Sequence, residues 1–170
     1  MRQAGAGKII NLESLAGLTS IPFIAFYCAT KFALEAYSES LWHELKPFGI
    51  TVTLIEPGWV RTAISHGSRA AAGTLPIYEG PRNRAPAVIG RAVEEGLSPE
   101  VVAKFVLRAA TSRQPRLRSR VGADAQWLPR VKELTSVEFV CIGRPPQVCS
   151  GCHQQVSNGE YDQKLSRRFP

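Results

Sequence analysis

No stretch of the 170-residue chain approaches the roughly 18 consecutive apolar residues that a membrane-spanning helix needs. The opening Met1-Arg2-Gln3-Ala4-Gly5 also lacks the apolar run of a secretory leader. A reducing, cytoplasmic setting is therefore expected. Cysteine is scarce, with four in all and three of them after residue 140. That density excludes a secreted scaffold held by disulfides. Cys28, alone in an apolar stretch, reads as a packed thiol. Acidic residues are outnumbered 14 to 21 by Lys and Arg, a formal net charge of +7. Such a surplus permits contact with nucleic acid, nucleotides or acidic surfaces without choosing among them. No aromatics interleave with Arg108, Arg113, Arg116, Arg118, Arg120 and Arg130, so a solvated face is a better reading than a nucleic-acid groove. With 44% hydrophobic and 21% charged residues, the chain has the balance of one globular domain.

Three segments have strand character. Residues 8–12 are short and apolar after glycines, and residues 50–55 are β-branched and stop at Glu56-Pro57-Gly58. Residues 116–121 alternate charged with apolar or small side chains, which suits an edge strand. Between the first two lies a helical stretch, about 26–47, in which Ala29, Phe32, Ala33, Ala36, Ser40, Leu41 and Leu45 recur at helical spacing. A second helix is expected over 99–111, with Pro99 and Glu100 in its first turn. Strand and helix in alternation predict an α/β fold with a parallel sheet and right-handed crossovers. Residues 59–97 carry few regular signals and many Gly and Pro. They read either as a surface loop or as the stretch that meets substrate beyond a strand's carboxyl end. The domain is expected over 1–142, followed by an irregular tail over 143–170. In that tail Cys149-Ser150-Gly151-Cys152-His153 has the spacing of a haem attachment site, and with Cys141 it could make a zinc set. A distal haem ligand and a surrounding core are both missing, so these cysteines are read as incidental and no metal is expected.

Tyr27 and Lys31 are four residues apart, so a helix places them on one face. An ammonium one turn from a phenol favours the phenolate, which would equip Tyr27 as a general acid/base. Taken alone, such a pair is ordinarily a surface contact. Ser14 adds weight, because it lies just past the first strand, thirteen residues before Tyr27. Strand ends and helix starts converge at the carboxyl edge of such a sheet, where ligands bind.

Ile10-Asn11-Leu12-Glu13-Ser14, Tyr27-Cys28-Ala29-Thr30-Lys31 and Glu56-Pro57-Gly58-Trp59-Val60-Arg61-Thr62 resemble, in order and spacing, the signatures of classical short-chain dehydrogenases/reductases. The resemblance covers about residues 1–135 and implies the C-terminal half of a doubly wound, Rossmann-type sheet. It implies that Ser14 orients the substrate, that Tyr27 is the catalytic acid/base, and that Lys31 holds the nicotinamide ribose and supports Tyr27. It also implies that Pro57, Gly58, Val60 and Thr62 line the nicotinamide. The implied reaction is hydride transfer between NAD or NADP and a small-molecule alcohol or ketone. The family also forms homo-oligomers. Leu18, Ile21, Phe23, Ile24 and Phe26, just ahead of Tyr27, suggest a lipophilic substrate. Glu13 departs from the small polar residue usual at its position.

The family's glycine-rich turn, which takes the pyrophosphate at a helix N-terminus, follows none of these strands. Its Asn-Ala-Gly motif and catalytic asparagine are absent as well. The expectation is a chain that begins at an internal methionine and carries about half the domain. An exposed first strand and exposed helix face, poor stability or self-association, and weak cofactor binding would follow. The alternative to an oxidoreductase is then a catalytically silent fragment, or a partner of full-length homologues.

Overall fold

The chain is described by a computed structural model over residues 1–68, 73 and 75–134. Three strands, β1 (Gly7–Leu12), β2 (Ile50–Pro57) and β3 (Arg118–Val121), form one parallel sheet in the order β1-β2-β3. β2 is central and buried along nearly its whole length. That explains its near-continuous apolar and β-branched sequence, since a strand covered on both faces gains nothing from alternation. The helices are α1 (Ala25–Leu45), α2 (Glu79–Glu94), α3 (Pro99–Thr111) and α4 (Ala123–Leu134). Gly49, at φ +67°, lets the chain reverse out of α1 into β2, and a Cβ there would meet the Gly5 carbonyl oxygen.

The strand register divides the sheet into two unlike faces. Ile10, Thr53, Ile55, Ser119 and Val121 share one face, while Asn11, Leu54, Glu56, Arg118 and Arg120 share the other. α3 covers the first, where Val102 and Ala109 pack with Ile55 and Val121, flanked by Ile10, Phe105 and Val106. The Lys8 ammonium donates to the carbonyls of Ala110 and Ser112 at the end of α3, where the helix dipole favours a cation. α1 covers the second face, with Asn11 Nδ2 donating to the fully buried Ser38 Oγ at 2.8 Å. The two crossovers both step in the same direction along the sheet, yet their helices lie on opposite faces. They therefore have opposite hands, against the expectation of two right-handed ones.

Two other expectations change. The face of α1 that meets the sheet is small and partly polar, with Cys28 and Ser38 buried and Leu34, Glu35, Leu41 and Trp42 half-buried. Of the stripe expected to face inward, only Leu41 and Leu45 turn that way. Ala29, Ala33, Ala36 and Ser40 are exposed, as are Phe26 (85%), Tyr37 (60%) and Phe32 (39%). Helical spacing identifies the helix but cannot decide between two faces that are both largely small or apolar. Residues 59–97 hold a regular element, α2, whose helical pattern is interrupted by Gly80, Pro81, Pro86 and Gly90. Pro81 falls in the first turn, where no amide partner is lost, and only Pro86 breaks the interior ladder. α4 likewise carries an internal proline, Pro129.

Under α1 the sheet carries a partly buried group of charges. Arg118 is held by Glu35 at 2.5 Å and Glu39 at 2.6 Å, while Arg120 Nε lies 3.2 Å from the fully buried Glu56. Glu13 is also buried, and neither of its carboxylate oxygens has a hydrogen-bond partner. Burial pushes the Glu13 carboxyl up to about 7, the charges of Glu35 and Glu56 push the same way, and the Ser14 amide and Lys31 oppose them. Burial likewise raises Glu56 to about 6, aided by Glu35 and opposed chiefly by Arg120.

Both carboxyls bind their protons more tightly in the folded chain than in the unfolded one. Acidification from above pH 7 toward their ordinary value therefore stabilises the fold, and ionisation through the 6–7 window destabilises it. The melting temperature is expected to be lower at pH 8 than at pH 6, and Glu13→Gln should shrink that difference. A melting temperature that rises over the same interval would contradict this. In urea titrations Leu54→Ala, at the centre of β2, should cost about 2–5 kcal/mol, whereas Phe26→Ala on the open face of α1 should stay within about 0.5 kcal/mol.

Candidate active site

The carboxyl ends of β1 and β2 and the first turns of α1 meet at one edge of the sheet. Leu12 closes β1, and its carbonyl accepts a hydrogen bond from Lys31 Nζ at 3.0 Å. That bond holds the second turn of α1 against the strand end. Tyr27, one turn earlier on the helix and half-buried, places its ring centroid 5.7 Å from the same ammonium. Among the described residues nothing hydrogen-bonds the Tyr27 hydroxyl. Thr30 Oγ1 donates to the Tyr27 carbonyl at 2.7 Å, giving that threonine a local role in the helix.

Ser14 stands two residues beyond Leu12, at the head of a short turn over Leu15–Gly17. Its Oγ accepts from the Ala16 amide at 3.1 Å. A hydroxyl used as an acceptor keeps its own proton free to donate. The turn is tightly packed: a Cβ on Gly17 would fall on the Glu13 carboxylate and reach the Lys31 backbone. Glu13 thus fills the space beneath Ser14 rather than lining the open side of the site.

Pro57 ends β2, and the following segment is tied down from two directions. The Gly58 amide donates to the Val121 carbonyl at 3.0 Å, and the Trp59 amide donates to Asp124 Oδ2 at 2.9 Å. On the other side Leu97 N–H donates to Trp59 O and Arg61 N–H to Leu97 O, both at 2.9 Å, making a parallel bridge at Val60. Val60 is half-buried and Thr62 exposed. The structure thus brings Ser14, Tyr27 and Lys31 to the edge from which Pro57, Gly58, Val60 and Thr62 depart. Asp124, Gly96 and Leu97 support that departure from far along the chain. Only Asp124 left a trace in the sequence, as an acidic residue two positions after a glycine at a helix start.

Beside the first turns of α1 lies a groove of about 560 Å³, lined by Ile21, Phe23, Cys28, Phe32 and Lys132 among others. Phe23 adopts φ +67°, an uncommon conformation for a bulky residue, where the chain turns into α1. Lys132 Nζ donates to Leu18 O at 3.0 Å and lies over the Phe32 ring. Cys141, Cys149, Cys152 and His153, with the rest of 143–170, lie outside the described residues. Among the described residues no helix is long and apolar enough to cross a membrane.

The donor set fits one end of a dinucleotide. Lys31 spends one N–H on Leu12 and keeps two for hydroxyl partners, the order of requirement of a ribose diol. No glycine-rich turn follows a strand among the described residues, so nothing comparable meets a pyrophosphate.

Comparison with known proteins agrees with this geometry. Residues 1–73 match the short chain dehydrogenase family. Over 139 residues the chain is 33% identical to a 3-ketodihydrosphingosine reductase of Bacteroides thetaiotaomicron, covering 76% of this chain and 52% of that protein. A short-chain dehydrogenase from Streptomyces avermitilis is similar in structure, with TM-score 0.61, 30% identity, and 94% and 54% of the two chains covered. One from Burkholderia phymatum, solved in complex with NAD, gives TM-score 0.59 and 26% identity over 81% and 48%. The chain spans about half the length of the curated relatives it matches. With its three signatures gathered at one sheet edge, the chain belongs to the short-chain dehydrogenase/reductase family.

Proposed function

We propose that this chain carries the proton-transfer half of an NAD(P)-dependent oxidoreductase that interconverts an alcohol and a carbonyl. The observation that carries the reading is the anchorage of Lys31 to the Leu12 carbonyl, which sets an ammonium one turn from the unbonded Tyr27 hydroxyl. Ser14, with its proton uncommitted, donates to the substrate carbonyl oxygen and holds it. Tyr27 gives its phenolic proton to that oxygen as the carbonyl carbon is reduced. The Lys31 ammonium stabilises the phenolate that remains, and in the reverse direction Tyr27 takes the proton back. The nicotinamide cofactor, NAD or NADP, supplies or accepts the hydride when bound. Lys31 would hold its ribose hydroxyls, and Pro57, Gly58, Val60 and Thr62 would lie along its nicotinamide.

The apolar groove along the first turns of α1, with Ile21, Phe23 and Phe32, supports a lipophilic substrate. The name of the similar 3-ketodihydrosphingosine reductase points the same way. A second reading, a unit with no turnover by itself, is favoured by the lack of a pyrophosphate cradle among the described residues.

Oxidation of medium- and long-chain secondary alcohols, followed by cofactor absorbance, tests both. Tyr27→Phe should lower turnover by at least about a hundredfold, the contribution of a general acid/base, and Lys31→Ala should lower it while also weakening cofactor binding. Turnover that survives Tyr27→Phe would contradict the first reading. Turnover that appears only when a full-length homologue with its own Tyr→Phe replacement is added would favour the second.

A further inference from the structure

We propose that Asp124 is a positioning residue that sets the path of the Gly58–Trp59 backbone, and through it the wall formed by Val60 and Thr62. The proposal rests on the reading that this wall meets the nicotinamide, but its geometry stands apart from that reading. Asp124 lies in the first turn of α4, and its two oxygens do different things. Oδ1 accepts from the Ala125 amide at 3.0 Å, which fixes the carboxylate to the start of its own helix. Oδ2 reaches across to the Trp59 amide at 2.9 Å, sixty-five residues away in sequence.

The same carboxylate occupies the space where Gly58 would carry a side chain. A Cβ at Gly58 would lie 2.0 Å from Oδ2, 2.1 Å from Oδ1 and 2.2 Å from Cγ, and no other residue supplies one of its three nearest atoms. A side chain at 58 would therefore displace the Asp124 carboxylate from the Trp59 amide. Gly122, at φ +102°, provides the reversal between β3 and α4 that delivers Asp124 to this place, and a Cβ there would meet Oδ1 at 2.6 Å. Opposite, Gly96 presses on the Trp59 carbonyl and Leu97 bridges Val60. The segment is clamped between two supports, and Asp124 is the one that holds it by a charged side chain. A charged acceptor on an amide is stronger than a neutral one, which suits a contact that must fix backbone position.

Amide hydrogen exchange on the full chain separates this role from one confined to the first turn of α4. Asp124→Ala should speed exchange at the Trp59 amide by about tenfold or more, while Val52, Leu54 and Ile55 in β2 keep their protection. Asp124→Ser keeps a side-chain oxygen beside the Ala125 amide but is too short to reach Trp59. It should restore protection at the start of α4 and leave Trp59 fast. Restoration of Trp59 by serine, or a wild-type rate in the alanine variant, would overturn the proposal. A second measurement covers variants that unfold. Gly58→Ala should push the Asp124 carboxylate aside and destabilise the native chain, and should cost less beside Asp124→Gly. Equal damage in both backgrounds would also overturn it. Cofactor titration of the same variants reports on the oxidoreductase reading alone: an absence of NAD(P)H binding to the unaltered chain would remove that reading and leave the exchange result to decide the role of Asp124.

Discussion

The hydrogen bond from Lys31 to the Leu12 carbonyl joins the two elements on which the site is built. β1 ends at Leu12 and hands the chain to Ser14, while α1 begins eleven residues after that serine and presents Tyr27 before Lys31. Without a tie between strand end and helix, the residues between Ser14 and Tyr27 would leave the serine and tyrosine free to part. With it, the hydroxyl, the phenol and the ammonium are referred to one point on the sheet. The tie also accounts for Gly17, whose missing side chain lets the turn after Ser14 pass close to the Lys31 backbone.

The two faces of the sheet serve different ends. The α3 face is an apolar core of ordinary kind, built on Ile55, Val102, Ala109 and Val121. The α1 face places Glu13, Glu35 and Glu56 with Arg118 and Arg120 directly behind the site. Buried charges of this sort are costly unless paired, and here the pairing is incomplete, since both oxygens of Glu13 and one each of Glu35 and Glu56 lack a hydrogen bond. A proton on Glu13 relieves part of that cost. The helix that covers these charges is itself narrow on its inner side and apolar on its outer side, with Phe26 and Tyr37 in the open.

The strands and the two helices with clean spacing were legible in the chain because each obeys one local rule. β2 is β-branched at five of its first six positions, α3 opens with Pro99-Glu100, and Tyr27 and Lys31 stand one turn apart. The family signatures added an order and a direction to those pieces. What escaped was whatever depends on residues meeting across the fold. α2 was hidden by glycines and prolines that suggest a loop one at a time, though only Pro86 interrupts the ladder. The opposite hands of the crossovers follow from which face each helix covers, and no local pattern states that. Glu13 reads as a polar neighbour of Ser14, and only the packing of Gly17 and α1 reveals it as a buried acid. Asp124 acts on Trp59 from sixty-five residues away, so spacing carries no hint of it.

In the proposed function, the Ser14–Tyr27–Lys31 edge and the Pro57–Thr62 segment together receive the nicotinamide end of a dinucleotide. Saturation-transfer NMR of NAD⁺ with the full chain measures this ring by ring. The account predicts strong transfer to the nicotinamide and its ribose, weaker transfer to the adenine, and loss of the nicotinamide signal in Lys31→Ala. Transfer confined to the adenine, or a nicotinamide signal indifferent to Lys31, would contradict it.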